Sequence, residues 1–326
     1  MFLCLSFIAL YFLAVFNAKI THQATLNTLA FCANKLVPSL FPFMVISSVF
    51  SDALIGKFSK NTRLKMVLFT LSAWLSGFVT GSKKLCEFCD NEDLTPYVFL
   101  TSNAGVGFTV SFIGIYLWNS CSFGIFLYVL QLISSFLVFK IAKKSAVIIT
   151  SQKKIPIITS FTQNVKQSTM ILLEICGFTL VFSIIRVQLQ SVLNLKANSI
   201  LSILFSSVLE VSEGAFLSSN AQNYNVGLFF TGFCLGFGGI CMCLQTYSAC
   251  KGCFSISRFV ILKLIQGLIC GSICYVLSFY FKLSDKTVQT SFCGEIDKFS
   301  VFINCCLLFL TLTYIKKFLK NKTIVR

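Results

Sequence analysis

Ala104-Gly105-Val106-Gly107-Phe108, inside an apolar run at residues 97 to 118, and Gly236-Phe237-Gly238-Gly239-Ile240, inside another at 226 to 246, decide how this chain is read. Each places glycines where a membrane helix would otherwise continue. They lie roughly 131 residues apart, the pattern of discontinuous helices in the two halves of a duplicated membrane fold. Glycine adopts the backbone conformations a break needs and lets a ligand or a second segment come close. At a break, free amides and free carbonyls carry opposite partial charges, so binding groups are offered without charged side chains. The alternative is that Gly105, Gly107, Gly238 and Gly239 serve close helix packing, which is common in membrane bundles.

Outward from these stretches, the composition sets the class. Hydrophobic residues make up 56% of the 326, charged residues 12%, and phenylalanine occurs 37 times; with a mean hydropathy of +0.83 this excludes an ordinary soluble domain. Nearly uncharged windows at 2 to 18, 37 to 54, 97 to 118, 122 to 139, 169 to 185, 226 to 246, 264 to 281 and 299 to 315 approach or reach the ~20 residues that cross the hydrocarbon core. Backbone in lipid must satisfy its own hydrogen bonds, so these runs are expected to be helices. Residues 2 to 18 lack a preceding basic residue, and Asn17-Ala18-Lys19 is a poor cleavage site, so the run reads as a retained first helix rather than a signal peptide.

The formal net charge of +16 does not point to nucleic acid, because the basic residues cluster at helix ends. The clusters are Lys57, Lys60, Arg63 and Lys65; then Lys140, Lys143, Lys144, Lys153, Lys154 and Lys166; then a tail of Lys316, Lys317, Lys320, Lys322 and Arg326. The positive-inside bias places all three, and both termini, in the cytoplasm of a multi-pass cell-membrane protein. Parity then requires one apolar segment in each half to enter and leave on the same side. Residues 65 to 82, ending in Ser76-Gly77-Phe78-Val79-Thr80-Gly81-Ser82-Lys83-Lys84, and 200 to 217, with Leu209-Glu210-Val211-Ser212-Glu213-Gly214, are the candidates. Three crossings plus one re-entrant element per half imply opposite orientations. The expected fold is an all-α polytopic bundle of two inverted repeats, each with a re-entrant hairpin and a broken helix.

The halves also begin alike. Phe41-Pro42-Phe43-Met44-Val45-Ile46-Ser47-Ser48 is matched, about 135 residues on, by Cys176-Gly177-Phe178-Thr179-Leu180-Val181-Phe182-Ser183, with a helix-kinking Pro or Gly at the same point. The expected organisation is an N-terminal helix and interfacial segment at 1 to 36, a first repeat at 37 to 142 and a basic linker at 143 to 165. A second repeat follows at 166 to 282, then a C-terminal helix and basic tail at 283 to 326.

In order along the chain, SGFVTGSKK, TSNAGVGF, LEVSEG and LGFGGICMCLQ resemble the motifs of the YlbJ-type sporulation integral membrane proteins, within the Gate-domain group shared with nucleoside transporters and ferrous-iron transporters. On that resemblance Ser76, Gly77, Gly81 and Lys83 fall on the first motif, and Asn103, Ala104, Gly105 and Phe108 on the second. Leu209, Glu210 and Gly214 fall on the third, and Phe237, Gly238, Gly239 and Gln245 on the fourth. Val79 and Val106 stand where the family carries proline, and Ser102 where it carries a first asparagine. The resemblance implies a role in spore cortex formation, with other sporulation membrane proteins or a second copy as partners. It names no solute.

The expected solute-binding residues are therefore Ser76, Gly77, Gly81 and Lys83 with Asn103, Gly105 and Gly107 in the first half. In the second they are Glu210, Gly214, Gly238, Gly239 and Gln245. Charge at membrane depth tends to mark function, and Glu210 and Glu213 on one hairpin opposite Lys83 and Lys84 on the other suit a zwitterion or polar solute. A structural ion pair would look the same. Lys84 snorkelling to the interface is a further reading, and Asn103 and Gln245 also fit helix-to-helix bonding. Glu174 and Lys263 read as lying near helix ends, and Arg186 and Arg258 as interface anchors.

Sixteen cysteines include two CxxC pairs, Cys86/Cys89 and Cys250/Cys253, which could supply four zinc thiolates. With so many cysteines the spacing is weak evidence, so no metal and no cofactor is assigned. Cys241, Cys270, Cys274, Cys305 and Cys306 read as small apolar residues within helices, and free thiols on this scale suit a reducing setting better than a disulfide framework. The single histidine, His22, lacks a nucleophile motif around it, and no phosphate loop, GxSxG or HExxH is present, so the chain is not expected to be an enzyme. Two readings stay open: a carrier of a small polar solute, or a non-transporting membrane scaffold of the same fold.

Overall fold

The computed structural model describes residues 2–57, 62–89, 93–142, 157–195, 199–250 and 252–279. Among them the chain is helical, without a strand, and five helical stretches are long and apolar enough to cross a membrane: Ala18–Asp52, Cys121–Ala142, Thr159–Val192, Tyr224–Ala249 and Ile256–Ser278. The expected span at 299 to 315, with Cys305, Cys306 and the basic tail, lies outside the described residues. So do Lys60 and, in the linker, Lys143, Lys144, Lys153 and Lys154.

The chain opens with α1 (Phe2–Phe16), whose 15 residues fall short of a full crossing. It bends at Asn17 into α2 (Ala18–Phe31), which continues through one π-helical turn, Cys32–Leu36, into α3 (Val37–Lys57). A pair of shorter helices follows, α4 (Thr62–Ser76) and α5 (Phe78–Phe88), joined by Gly77 alone. Then α6 (Thr95–Thr101) stops, residues 102 to 105 run non-helically, and a π-helix spans Gly107–Leu117 before α7 (Cys121–Ala142). The run at 97 to 118 is thus two short pieces around a break.

The second half gives α8 (Ile157–Val192), the pair α9 (Ile200–Leu209) and α10 (Val211–Ser219) joined by Glu210 alone, α11 (Tyr224–Phe237) and α12 (Gly239–Ala249) interrupted at Gly238, and α13 (Ile256–Ser278). Each short pair folds back on itself. A Cβ on Gly81 of α5 would sit 2.4 Å from the Ala73 Cβ of α4, and one on Gly214 of α10 would sit 2.6 Å from the Ser207 Cα of α9. Small residues let the two arms touch.

The long helices α2–α3 and α8 run antiparallel. Asn17 donates to Gln188 at 2.8 Å, Thr28 to Ser183 at 2.8 Å, and Ser160 and Asn164 donate to Asp52 at 2.8 and 2.6 Å. The Asp52 end therefore gathers the C-terminal end of α3, the start of α8 and, through Lys84, the second arm of the first pair. Glu174 lies in the middle of α8 on its exposed face, not near a helix end. Lys263 lies within α13 and is fully buried, for the reason given below.

At the ends of α5 and α12 a short strap joins the halves. The Ser255 amide donates to the Thr95 hydroxyl at 2.9 Å, and Arg258 pairs with Asp93 at 2.9 Å. The Thr95 hydroxyl above all, then its amide and Arg258, hold the Asp93 carboxyl below the usual carboxylate range. A group depressed on folding contributes stability above its unfolded pKa and loses it as pH falls through the folded value. Asp93→Asn is expected to remove that acid-side dependence, seen as a flatter melting-temperature profile below about pH 4. Because the pair is exposed, the cost at neutral pH is expected to stay under about 1 kcal/mol.

Candidate functional site

Four segments that are far apart in sequence converge on one small cavity of ≈ 50 Å³: Ser76-Gly77 between α4 and α5, Gly105 in the first break, Glu210 between α9 and α10, and Gln245 on α12. The volume holds a few water molecules. Backbone contact makes this convergence. Gly77, at φ +91°, presses on the first break so closely that a Cβ would sit 3.0 Å from the Gly105 nitrogen. In the second half the partners change places: Gly239, at φ +80° beside the second break, leaves room for 2.9 Å between a Cβ and the Leu209 carbonyl and 3.1 Å to Glu210. Each folded-back pair thus rests its turn on the neighbouring break.

The first break is closed by side-chain amides. Gln131 of α7 donates to the Ala104 carbonyl at 2.7 Å and accepts from the Ala104 amide at 3.2 Å, so it substitutes for the missing helical partners. Asn103 donates to the Leu100 carbonyl at 2.9 Å and to Ser135 at 3.0 Å, while its oxygen accepts from Gln266 at 2.9 Å. Gln266 also donates to the Gln131 carbonyl at 3.0 Å. Lys263 donates to the Ser102 carbonyl and to Gln266 at 3.0 Å, with its nitrogen 5.1 Å from the Phe99 ring centroid. These acceptors at the carbonyl end of α6 satisfy the amine, which is how a lysine is accommodated at full burial. Asn103 has its amide committed to protein partners and does not line either cavity described here.

Glu210 is different. Its carboxylate caps α10 by accepting the Glu213 amide at 2.8 Å. It borders the small cavity and also a larger cleft of ≈ 630 Å³ between α2, α8 and the α9–α10 pair. That cleft carries two buried polar atoms without a hydrogen-bond partner, the Ser206 hydroxyl and the Arg186 Nε.

The hairpin charges do not face each other. Lys84 is buried and pairs with Asp52 of α3 at 2.8 Å, also donating to the Ser48 carbonyl at 2.9 Å, so it does not snorkel. Glu213 pairs with Arg186 of α8 at 3.1 Å, which draws Arg186 into the cleft and away from a purely interfacial role. Lys83 is half-buried on α5. Of the other expected residues, Gly81 and Gly214 bring helix arms together, and Gly107 packs against the Ser39 carbonyl and Phe43 of α3. Gly238, at φ +81°, is the left-handed cap of α11, its amide donating to Cys234 at 2.7 Å. Gln245 donates to the Cys241 sulfur at 3.2 Å.

Sequence reasoning missed Gln131, Gln266, Asp52 and Ser206. A signal for two of them existed: Gln131 and Gln266 lie 135 residues apart, the offset that already related the starts of the two halves.

The cysteines also depart from expectation. Cys241, Cys270 and Cys274 are buried within helices as expected, but Cys86 and Cys253 are joined as a disulfide. The two CxxC motifs meet because the strap brings the ends of α5 and α12 together. Comparison with known proteins supplies no relative: no family model, no curated protein and no solved structure matches the chain.

Proposed function

We propose that this membrane-embedded chain is a carrier of the YlbJ-type sporulation group, built from two inverted repeats, which moves a small polar solute across the spore membranes during cortex formation. The observation that carries the reading is the meeting of two folded-back helix pairs and two broken helices at Glu210, between a small cavity and a larger cleft. Intramembrane binding sites of secondary carriers are made of discontinuous helices near the midplane. In this reading α4–α5 and α9–α10 are re-entrant, and alternating access comes from one repeat moving against the other. The order long helix, helix pair, broken helix, long helix in both halves supports it, as does the 135-residue spacing of Gln131 and Gln266. Glu210, Ser206 and Arg186 offer acceptor and donor groups for a polar solute, with lipid around the bundle.

A scaffold reading has one observation in its favour. The Asn103, Gln131, Gln266 and Lys263 bonds hold the first break closed from within the protein. Glu210→Gln separates the two, since the amide keeps the size and the capping oxygen while losing the ionisable carboxyl. In a sporulating host expressing the variant at wild-type level, cortex-complete spores are expected to fall about tenfold or more. Metabolite profiling is expected to show one polar solute redistributed between mother cell and spore. Normal spores and an unchanged solute distribution would reject transport.

A further inference from the structure

The two CxxC motifs serve no part of the solute site, yet they occupy one place in the fold. Cys86 lies one turn from the end of α5, whose last cap is Cys89, and Cys250 caps α12 with Cys253 in the turn that follows. The sulfurs of Cys86, Cys250 and Cys253 all lie within 4.8 Å of one another, and Cys89 is buried in the same core. Three sulfurs this close match one face of a tetrahedral zinc–thiolate site, in which neighbouring sulfurs stand about 3.8 Å apart. Two pairs at CxxC spacing are the ligand pattern of a closed, four-thiolate zinc site.

We propose that Cys86, Cys89, Cys250 and Cys253 bind one zinc ion that staples the end of α5 to the junction of α12 and α13. These cysteines share an end of the bundle with Lys84, Asp52 and the start of α8. The thiol form rests on the topology proposed above, which sets that end in the cytoplasm, where dithiol reductants keep cysteines reduced. Two electrons and two protons from such a dithiol convert the Cys86–Cys253 bond to two thiols. Zinc then displaces one proton from each coordinating thiol. The ion would tie together the second arm of the first helix pair and the second piece of the second broken helix, elements that both border the small cavity.

Full-length protein purified in detergent with reductant from zinc-replete cells is expected to carry about one zinc per chain by elemental analysis. Cobalt added to the zinc-stripped protein is expected to give intense thiolate charge-transfer bands. Cys250→Ser is expected to lower zinc below about a tenth of an equivalent, whereas Cys121→Ser, at the start of α7, retains it. Zinc below a tenth of an equivalent in the wild type with no cobalt–thiolate spectrum overturns the site, as does iron with sulfide in its place. A Cys86–Cys253 disulfide found by thiol trapping in intact cells overturns it too. Membrane-impermeant labelling tests the topology by itself: zinc-free thiols reached only from the cytoplasmic side sink the zinc site and leave the topology standing. Labelling from the outer side sinks the topology.

Discussion

Replacing Gln131 by leucine is expected to lower stability by about 3 to 5 kcal/mol. The leucine fits the apolar helix better than the amide does, yet it leaves both the Ala104 amide and the Ala104 carbonyl without partners at full burial. Each orphaned backbone group costs about 1 to 3 kcal/mol, and lipid supplies no water to replace it. The loss also reaches Gln266 and Asn103, which share the network. Thermal unfolding in a fixed detergent, read by tryptophan fluorescence, measures it. A leucine variant as stable as wild type would remove the amide closure as the reason the break persists.

Gly239→Ala is expected to act on function as well as on folding. At φ +80° an alanine is strained, and its Cβ would come within 2.9 Å of the Leu209 carbonyl and 3.1 Å of Glu210. Backbone cannot give way as a side chain can, so the turn that presents Glu210 must move. Strain of about 1 to 3 kcal/mol and the displacement together give a loss of about 2 to 4 kcal/mol. The neighbour makes the control. Gly238 has almost the same φ, +81°, but its Cβ would meet mainly the Met242 methyl, the far end of a flexible side chain. Gly238→Ala is therefore expected to cost about half as much and to leave the Glu210 turn in place. Unfolding measurements on both variants, with the spore assay beside them, test the contrast; equal effects would show that strain alone matters.

Much of the architecture was legible before any coordinates, because a membrane imposes long apolar helices and glycines punctuate them. The breaks at Gly105 and Gly238, and the turns at Gly77 and Glu210, fall in stretches that composition and punctuation single out. The pairing of charges was not legible. Lys84 and Glu213 carry opposite signs on the two helix pairs, and nothing in the local pattern says that each is neutralised by a long helix of its own half, through Asp52 and Arg186. Lys263 was misplaced because an apolar run with one lysine looks the same whether the lysine nears a helix end or meets the carbonyl end of a broken neighbour. The meeting of the cysteines depends on the strap at Thr95 and Ser255, 160 residues apart, a separation at which short-range patterns are silent.

The reversed polarity of those two ion pairs makes a swapped docking of the helix pairs electrostatically unfavourable. In one half the folded-back arm brings the lysine and the long helix the aspartate; in the other the arm brings the glutamate and the long helix the arginine. An arm that docked against the wrong long helix would set Lys84 against Arg186, or Glu213 against Asp52, and like charges meeting out of water repel strongly. Each arm thereby carries a charge that suits one long helix and clashes with the other.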